Sequence, residues 1–111
     1  MKLILAIVQD EDVSRLVNML MKEGFSVTKL ATTGGFLRAG NTTLLLGVDD
    51  DKLAKAMETI EKVCKSRKHM ASAPASLPGV PGSHDVTSYP LEVTVGGATV
   101  FVMQVEQFVK L

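Results

Sequence analysis

Residues 32–43 read TTGGFLRAGNTT, a stretch whose residue types can hold a small molecule that is both charged and aromatic. Gly34 and Gly35 can adopt positive φ and turn successive backbone N–H groups inward, which makes an anion-binding nest. Arg38, with Lys29 just upstream, supplies positive charge for phosphate oxygens. Phe36 offers a flat apolar face on which a purine can stack. Asn41 pairs a donor with an acceptor and can read the edge of adenine, while Thr28 and Thr32 add hydroxyls. Each feature alone has a plainer explanation: a double glycine is a turn, Phe36 a core plug, Arg38 a solvated charge. Taken together, the parts suit a nucleotide.

Catalytic chemistry is harder to assemble. No Ser, His and Asp group falls in one motif, and His69 and His84 both lie in the long connection 67–88. Cys64 sits on an apolar stripe at helical spacing, where a buried, inert thiol is expected. A metal site on His69 and His84 has no obvious further ligand beyond Asp85. The acidic runs at 10–12 and 49–51 precede helical patterns, so helix capping and favourable interaction with the N-terminal dipole account for them. The expectation is a binding protein, not an enzyme, with no metal and no cofactor.

The elements that must position these residues follow a repeat. IVQDEDVSRLVNML from Ile7 and GVDDDKLAKAMETI from Gly47 share an apolar run, an acidic cluster and apolar residues at helical spacing. Val13, Leu16, Val17 and Leu20 make the first stripe; Leu53, Ala56, Met57, Ile60, Val63 and Cys64 make the second. Gly24 is placed to end the first helix as its C′ residue. FSVTKLAT (25–32) and PLEVTV (90–95) alternate as strands, the second with Leu91, Val93 and Val95 inward. Two strand–helix–strand units in tandem predict an α+β, ferredoxin-like (split βαβ) fold. Gly96-Gly97 reads as a hairpin turn into an added C-terminal strand, 98–103. Residues 33–41 form a short connection; 67–88, with three of the four prolines, form a long one read either as a mobile surface loop or as a functional one ordered by a partner or ligand.

Strand 1 is apolar on both faces, as is LLLGV at 44–48. Two helices cover only one face of such a sheet, so the other is expected to be buried against further subunits. At 111 residues the chain is one domain. Twelve basic residues balance twelve acidic ones, so no global field draws in nucleic acid or an anionic membrane. A single cysteine excludes a disulfide framework and fits a reducing cytoplasm. The apolar run Leu3–Val8 is too short for a signal or membrane segment, so the protein is expected to be soluble and cytoplasmic.

VTKLATTGGFLRAGNTT with Gly47-Val48, YPLEVTVGGATVFV, and LAIVQDED at the start resemble the PII-like cyclic di-AMP receptor family of bacterial signal-transduction proteins. The resemblance runs essentially the whole length, with 67–88 the looser part. It implies a homotrimer of ferredoxin-like subunits with a short T-loop (33–41), a long B-loop (67–88) and cyclic di-AMP in intersubunit clefts. Carried over by position, the ligand-binding residues are Thr28, Gly35, Phe36, Leu37, Asn41, Gly47 and Phe101. Further candidates are Ser26, Lys29, Thr32, Gly34, Arg38 and Lys110. The family usually carries asparagine at Gly24, arginine at Ser26 and glutamine at Lys110. The implied function is a receptor that relays cyclic di-AMP through loop ordering to an unidentified protein target. The alternative is a PII-like interaction module whose ligand is lost or changed, to ATP or another nucleotide, or to a protein partner alone.

Overall fold

The computed structural model describes residues 1–30, 40–74 and 88–111. In chain order it has β1 (Lys2–Gln9), α1 (Asp10–Lys22), β2 (Thr28–Leu30), β3 (Asn41–Val48), a 3-10 turn (Asp50–Lys52) and α2 (Leu53–Cys64). Strands β4 (Arg67–Pro74), β5 (Ser88–Val95) and β6 (Ala98–Gln104) follow. The main sheet has the order β2-β3-β1-β6, with every neighbouring pair antiparallel. This is the ferredoxin-like α+β arrangement, both helices packing on one face.

Period-2 burial builds that face. Ile4, Ala6 and Val8 of β1 and Leu44, Leu46 and Val48 of β3 are all buried. They pack with Val13, Leu16 and Leu20 of α1 and Ala56, Ile60, Val63 and Cys64 of α2 in one cluster. Full burial of each large aliphatic side chain contributes about 1.5–3 kcal/mol. The predicted stripes are therefore the core, with Val17, Leu53 and Met57 partly buried at its rim.

Helix α1 ends as Gly24 dictates. Gly24 has φ +89°, its N–H bonds to Met21 O at 3.0 Å, and Phe25 N–H bonds to Leu20 O at 2.9 Å. These two bonds form a Schellman motif, closed by the buried Phe25. Phe25 thus serves the helix end, and the strand expected over 25–32 is confined, within the described residues, to Thr28–Leu30.

The helix starts differ from expectation. Neither helix has a side-chain cap hydrogen bond. β1 runs into α1 with no intervening residue, so Gln9 occupies the cap position and Asp10–Asp12 fall inside the first turn. Their carboxylates bond elsewhere: Thr42 Oγ1 donates to Asp10, and the buried Asp12 accepts from Arg67 Nη2 at 2.8 Å. Hydrogen bonding to Asp12 raises the pKa of Arg67.

The C-terminal half departs most. β5 pairs with β4, in register from Arg67 opposite Val95 to Pro74 opposite Ser88, and these two strands form a separate sheet. β6 instead takes the edge of the main sheet beside β1. Gly96-Gly97 is therefore not a hairpin turn; the hairpin is β4–β5, inserted ahead of the last strand. Leu91 is accordingly exposed and Val93 and Val95 only half-buried, not core. His69 lies on β4, so residues 67–74 are strand, while 75–87, His84 included, fall outside the described residues. The glycine pair has another use. Gly96 has φ +82°, and a Cβ there would sit 2.9 Å from Lys65 O and 3.1 Å from Cys64 O. The pair lets the chain pass against the end of α2, where Gly97 N–H bonds to Cys64 O.

Candidate functional site

The face of the sheet opposite the helices carries the candidate site. Register places Thr28, Leu45, Leu5 and Phe101 in one row across β2, β3, β1 and β6. Leu3, Leu5, Ile7 and Leu45 are half-buried, while Leu30, Phe101 and Met103 are exposed on the same face. The apolar second face expected from the sequence is present, and no described helix packs on it.

A groove of about 660 Å³ opens at one end of this face. Met1, Leu3, Leu45, Val105 and Phe108 form apolar walls; Ser26, Thr28, Gly47 and Lys110 supply the polar part. They come from β1 and the residue before it, the start of β2 and its approach, β3, and the C-terminal segment. Gly47 lies opposite Leu3 in the β1–β3 ladder, and Thr28 lies opposite Leu45 in the β2–β3 ladder. The C-terminal segment after β6 returns to this end, tied by Val105 N–H to Met1 O at 3.2 Å. Gly47 has no side chain to fill the floor, and a Cβ there would meet Met1 Cε at 3.2 Å. Chemically the groove offers flat apolar contact, two hydroxyls and one side-chain cation, a set suited to an aromatic ring carrying an anion.

Four of the residues singled out from the sequence, Ser26, Thr28, Gly47 and Lys110, thus meet in one groove. Asn41 does not join them. It pairs with Gln9 at the opposite end of β3, about 20 Å from Gly47 at the rise of an antiparallel strand. There it lines a second groove of about 360 Å³ with Ile7, Gln9, Gly96, Gly97, Ala98 and Thr99. Phe101, more than half exposed, lies between the two grooves on the row of Leu5 and belongs to neither. Lys29 pairs with Leu44, whose side chain faces the helices, so register turns Lys29 away from the groove. Thr32, Gly34, Gly35, Phe36, Leu37 and Arg38 lie outside the described residues.

Sequence reasoning missed the groove's apolar walls. Phe108 was the traceable one: an aromatic in a tail, VEQFVKL, with neither strand nor helix period. Leu45 and Leu3 were assigned to a subunit contact, and nothing local distinguishes that role from lining a ligand groove.

Cys64 is buried, and burial, followed by the nearby Asp12 charge, pushes its thiol up to about 11. Among the described residues no group of three or more His, Cys, Asp and Glu is placed to hold a metal ion. No described helix is long and apolar enough to cross a membrane.

Two comparisons bear on the whole chain. A family model for the cyclic-di-AMP receptor matches residues 1–111. Among solved structures, the chain is similar to a functionally unknown protein from Pediococcus pentosaceus, at 37% identity and a TM-score of 0.75. That match covers 99% of this chain and 96% of the other.

Proposed function

As this chain belongs to the cyclic-di-AMP receptor family, we propose that it is a signalling receptor, not an enzyme. It binds cyclic di-AMP on the open face of its sheet, in clefts completed by neighbouring copies of a homotrimer, and passes occupancy to a protein target. The groove that joins Ser26, Thr28, Gly47 and Lys110 carries the reading. Its apolar walls, Leu45 and Phe108 among them, accept an adenine face; the hydroxyls of Ser26 and Thr28 and the Lys110 ammonium meet a phosphate.

The spread of the remaining candidates supports a shared site. Thr28 and Phe101 stand on opposite edges of one sheet, three strand spacings or about 14 Å apart. In a shared cleft a neighbouring copy would bring a second Phe101 to the Thr28 edge. The uncovered Leu30, Phe101 and Met103 give that copy an apolar surface to rest on.

A second reading draws on the charge of the groove. Among the described residues Lys110 is its one side-chain cation, against the two phosphates of cyclic di-AMP. A nucleotide with a different phosphate arrangement, such as ATP, or a protein partner alone is the competing occupant. Calorimetric titration of the purified protein with cyclic di-AMP, cyclic di-GMP and ATP decides between them, alongside sedimentation equilibrium for the assembly state. Micromolar or tighter binding of cyclic di-AMP alone, near one per subunit of a trimer, is the expected result. Absence of heat with cyclic di-AMP in a folded trimer would overturn the ligand assignment.

A further inference from the structure

We infer that the β1–α1 junction is a coupling element between the start of β3 and the β4–β5 hairpin, with Gln9 and Asp12 as its positioning residues. Its role in signalling rests on the receptor reading; the coupling itself stands on the geometry below.

On the β3 side the junction holds the chain three times. Asp10 N–H bonds to Gly40 O at 2.8 Å, Thr42 Oγ1 donates to Asp10 Oδ1, and Gln9 lies opposite Asn41 in the ladder. On the hairpin side it holds both legs. Gly96 N–H donates to Gln9 Oε1 at 2.7 Å, at the exit of β5. Arg67 Nη2 donates to Asp12 Oδ1 at 2.8 Å, at the entry of β4, where Asp12 is 1% exposed and Arg15 approaches the same oxygen at 3.6 Å.

The placement matters because, among the described residues, the hairpin pairs with no strand of the main sheet. Its orientation therefore depends on the contacts at its root. A buried carboxylate between two guanidinium groups is a stiff anchor, since an unpaired charge there has no water to turn to. Gln9 is the shared member: its backbone lies in the ladder facing Asn41, and its side chain holds the hairpin. A displacement of Gly40–Thr42 thus reaches the hairpin root through one residue of β1 and the first turn of α1.

The test begins without ligand. Amide hydrogen exchange at the hairpin root (67–70 and 92–96) is compared among the wild type, Thr42→Val, Gln9→Ala, their double variant, and Thr42→Val with Gln9→Glu. Thr42→Val, which does not touch the hairpin, is expected to speed exchange at its root about two- to tenfold, the yield of one hydrogen bond. With Gln9→Ala present, Thr42→Val should add a smaller change, the part carried by Asp12 and Arg67; Gln9→Glu, which keeps an acceptor for Gly96 N–H, should restore the full response. A hairpin root unmoved by Thr42→Val, while β1–β3 exchange rises, overturns the coupling. Cyclic di-AMP is then added. Binding that alters exchange at the root in the wild type but not in Gln9→Ala supports a role in signalling, and binding that leaves the wild-type root unmoved overturns that role. Failure to bind cyclic di-AMP overturns the receptor reading, and the ligand-free comparison still decides the coupling.

Discussion

Replacing Lys110 by glutamine separates recognition from folding. Lys110 is exposed, takes part in no ion pair among the described residues, and is the one side-chain cation in the Leu45 groove. Folding stability should therefore move by less than about 0.5 kcal/mol, the usual range for an exposed substitution. A charge-assisted hydrogen bond to phosphate contributes about 1.5–3 kcal/mol, so affinity for cyclic di-AMP should fall about ten- to a hundredfold. Salt provides a second signature. The screening length shortens from roughly 14 Å to 6 Å between about 0.05 M and about 0.3 M salt, so wild-type affinity should drop more steeply over that range than that of Lys110→Gln. Titration calorimetry at both ionic strengths, with a denaturation curve for each protein, gives all three quantities. Ser26 lines the same groove, so Ser26→Arg added to Lys110→Gln should recover most of the lost affinity. Equal affinity and equal salt dependence in wild type and Lys110→Gln would refute the reasoning, because the cation would then not meet the ligand.

Three further outcomes test the fold around the site. Gly24→Ala should cost about 1–2 kcal/mol in urea denaturation for its positive φ alone, since nothing lies within 4 Å of the added Cβ. Gly96→Ala should cost clearly more, because its Cβ would sit 2.9 Å from Lys65 O; equal costs would discount that close approach. The hydrogen bond from Thr59, with Lys55 at 3.2 Å adding to it, holds the Glu23 carboxyl below its ordinary 4.5. A depressed folded-state pKa stabilises above the unfolded value, so this contribution fades as pH falls through 4.5 and below. Thr59→Val should flatten that part of the stability–pH curve, and an unchanged curve would rule the contact out. With its thiol near 11 against an ordinary 9.0, Cys64 carries roughly a hundredfold less thiolate near neutral pH. Alkylation should follow global unfolding, rising with denaturant; fast labelling indifferent to denaturant would show the residue to be accessible.

Much of the architecture was legible because it is written in local periods. Val8 and Val48, Val13 and Leu53, and Leu20 and Ile60 recur at one offset, and each pair supplies matched parts of one core. Gly24 needed no tertiary information to end α1, since only its own positive φ was at stake. The glycine pair at 96–97 misled for the same reason. Positive φ serves a tight turn and a close backbone approach alike, and only the carbonyls of Cys64 and Lys65, brought there by α2, reveal which one operates. The acidic run at 10–12 was read as capping and as charge favoured at a helix N-terminus. It does fill the first turn of α1, but it caps nothing, since β1 leaves no residue between strand and helix, and a distant Arg67 claims Asp12.

The candidate site divides along the same line. Alternation read over 25–32 set Ser26 and Thr28 on one face; the strand is confined to Thr28–Leu30, yet both residues line one groove. That Gly47 and Lys110 join them, that Phe108 walls the groove, and that Asn41 stands at the far end follow from ladder register and from the course of the C-terminal segment. By itself the sequence determined the α+β class, the two strand–helix units, the core stripes and the second apolar face, all of them consequences of spacing within a dozen residues. The tertiary structure alone decided that β6 and not β5 lies beside β1, setting Phe101 opposite Leu5. Both strands alternate well enough to fill that edge. The choice rests on which of them the rest of the fold leaves free: β5 is taken by β4, and β6, swung past α2 by two glycines, receives the open edge.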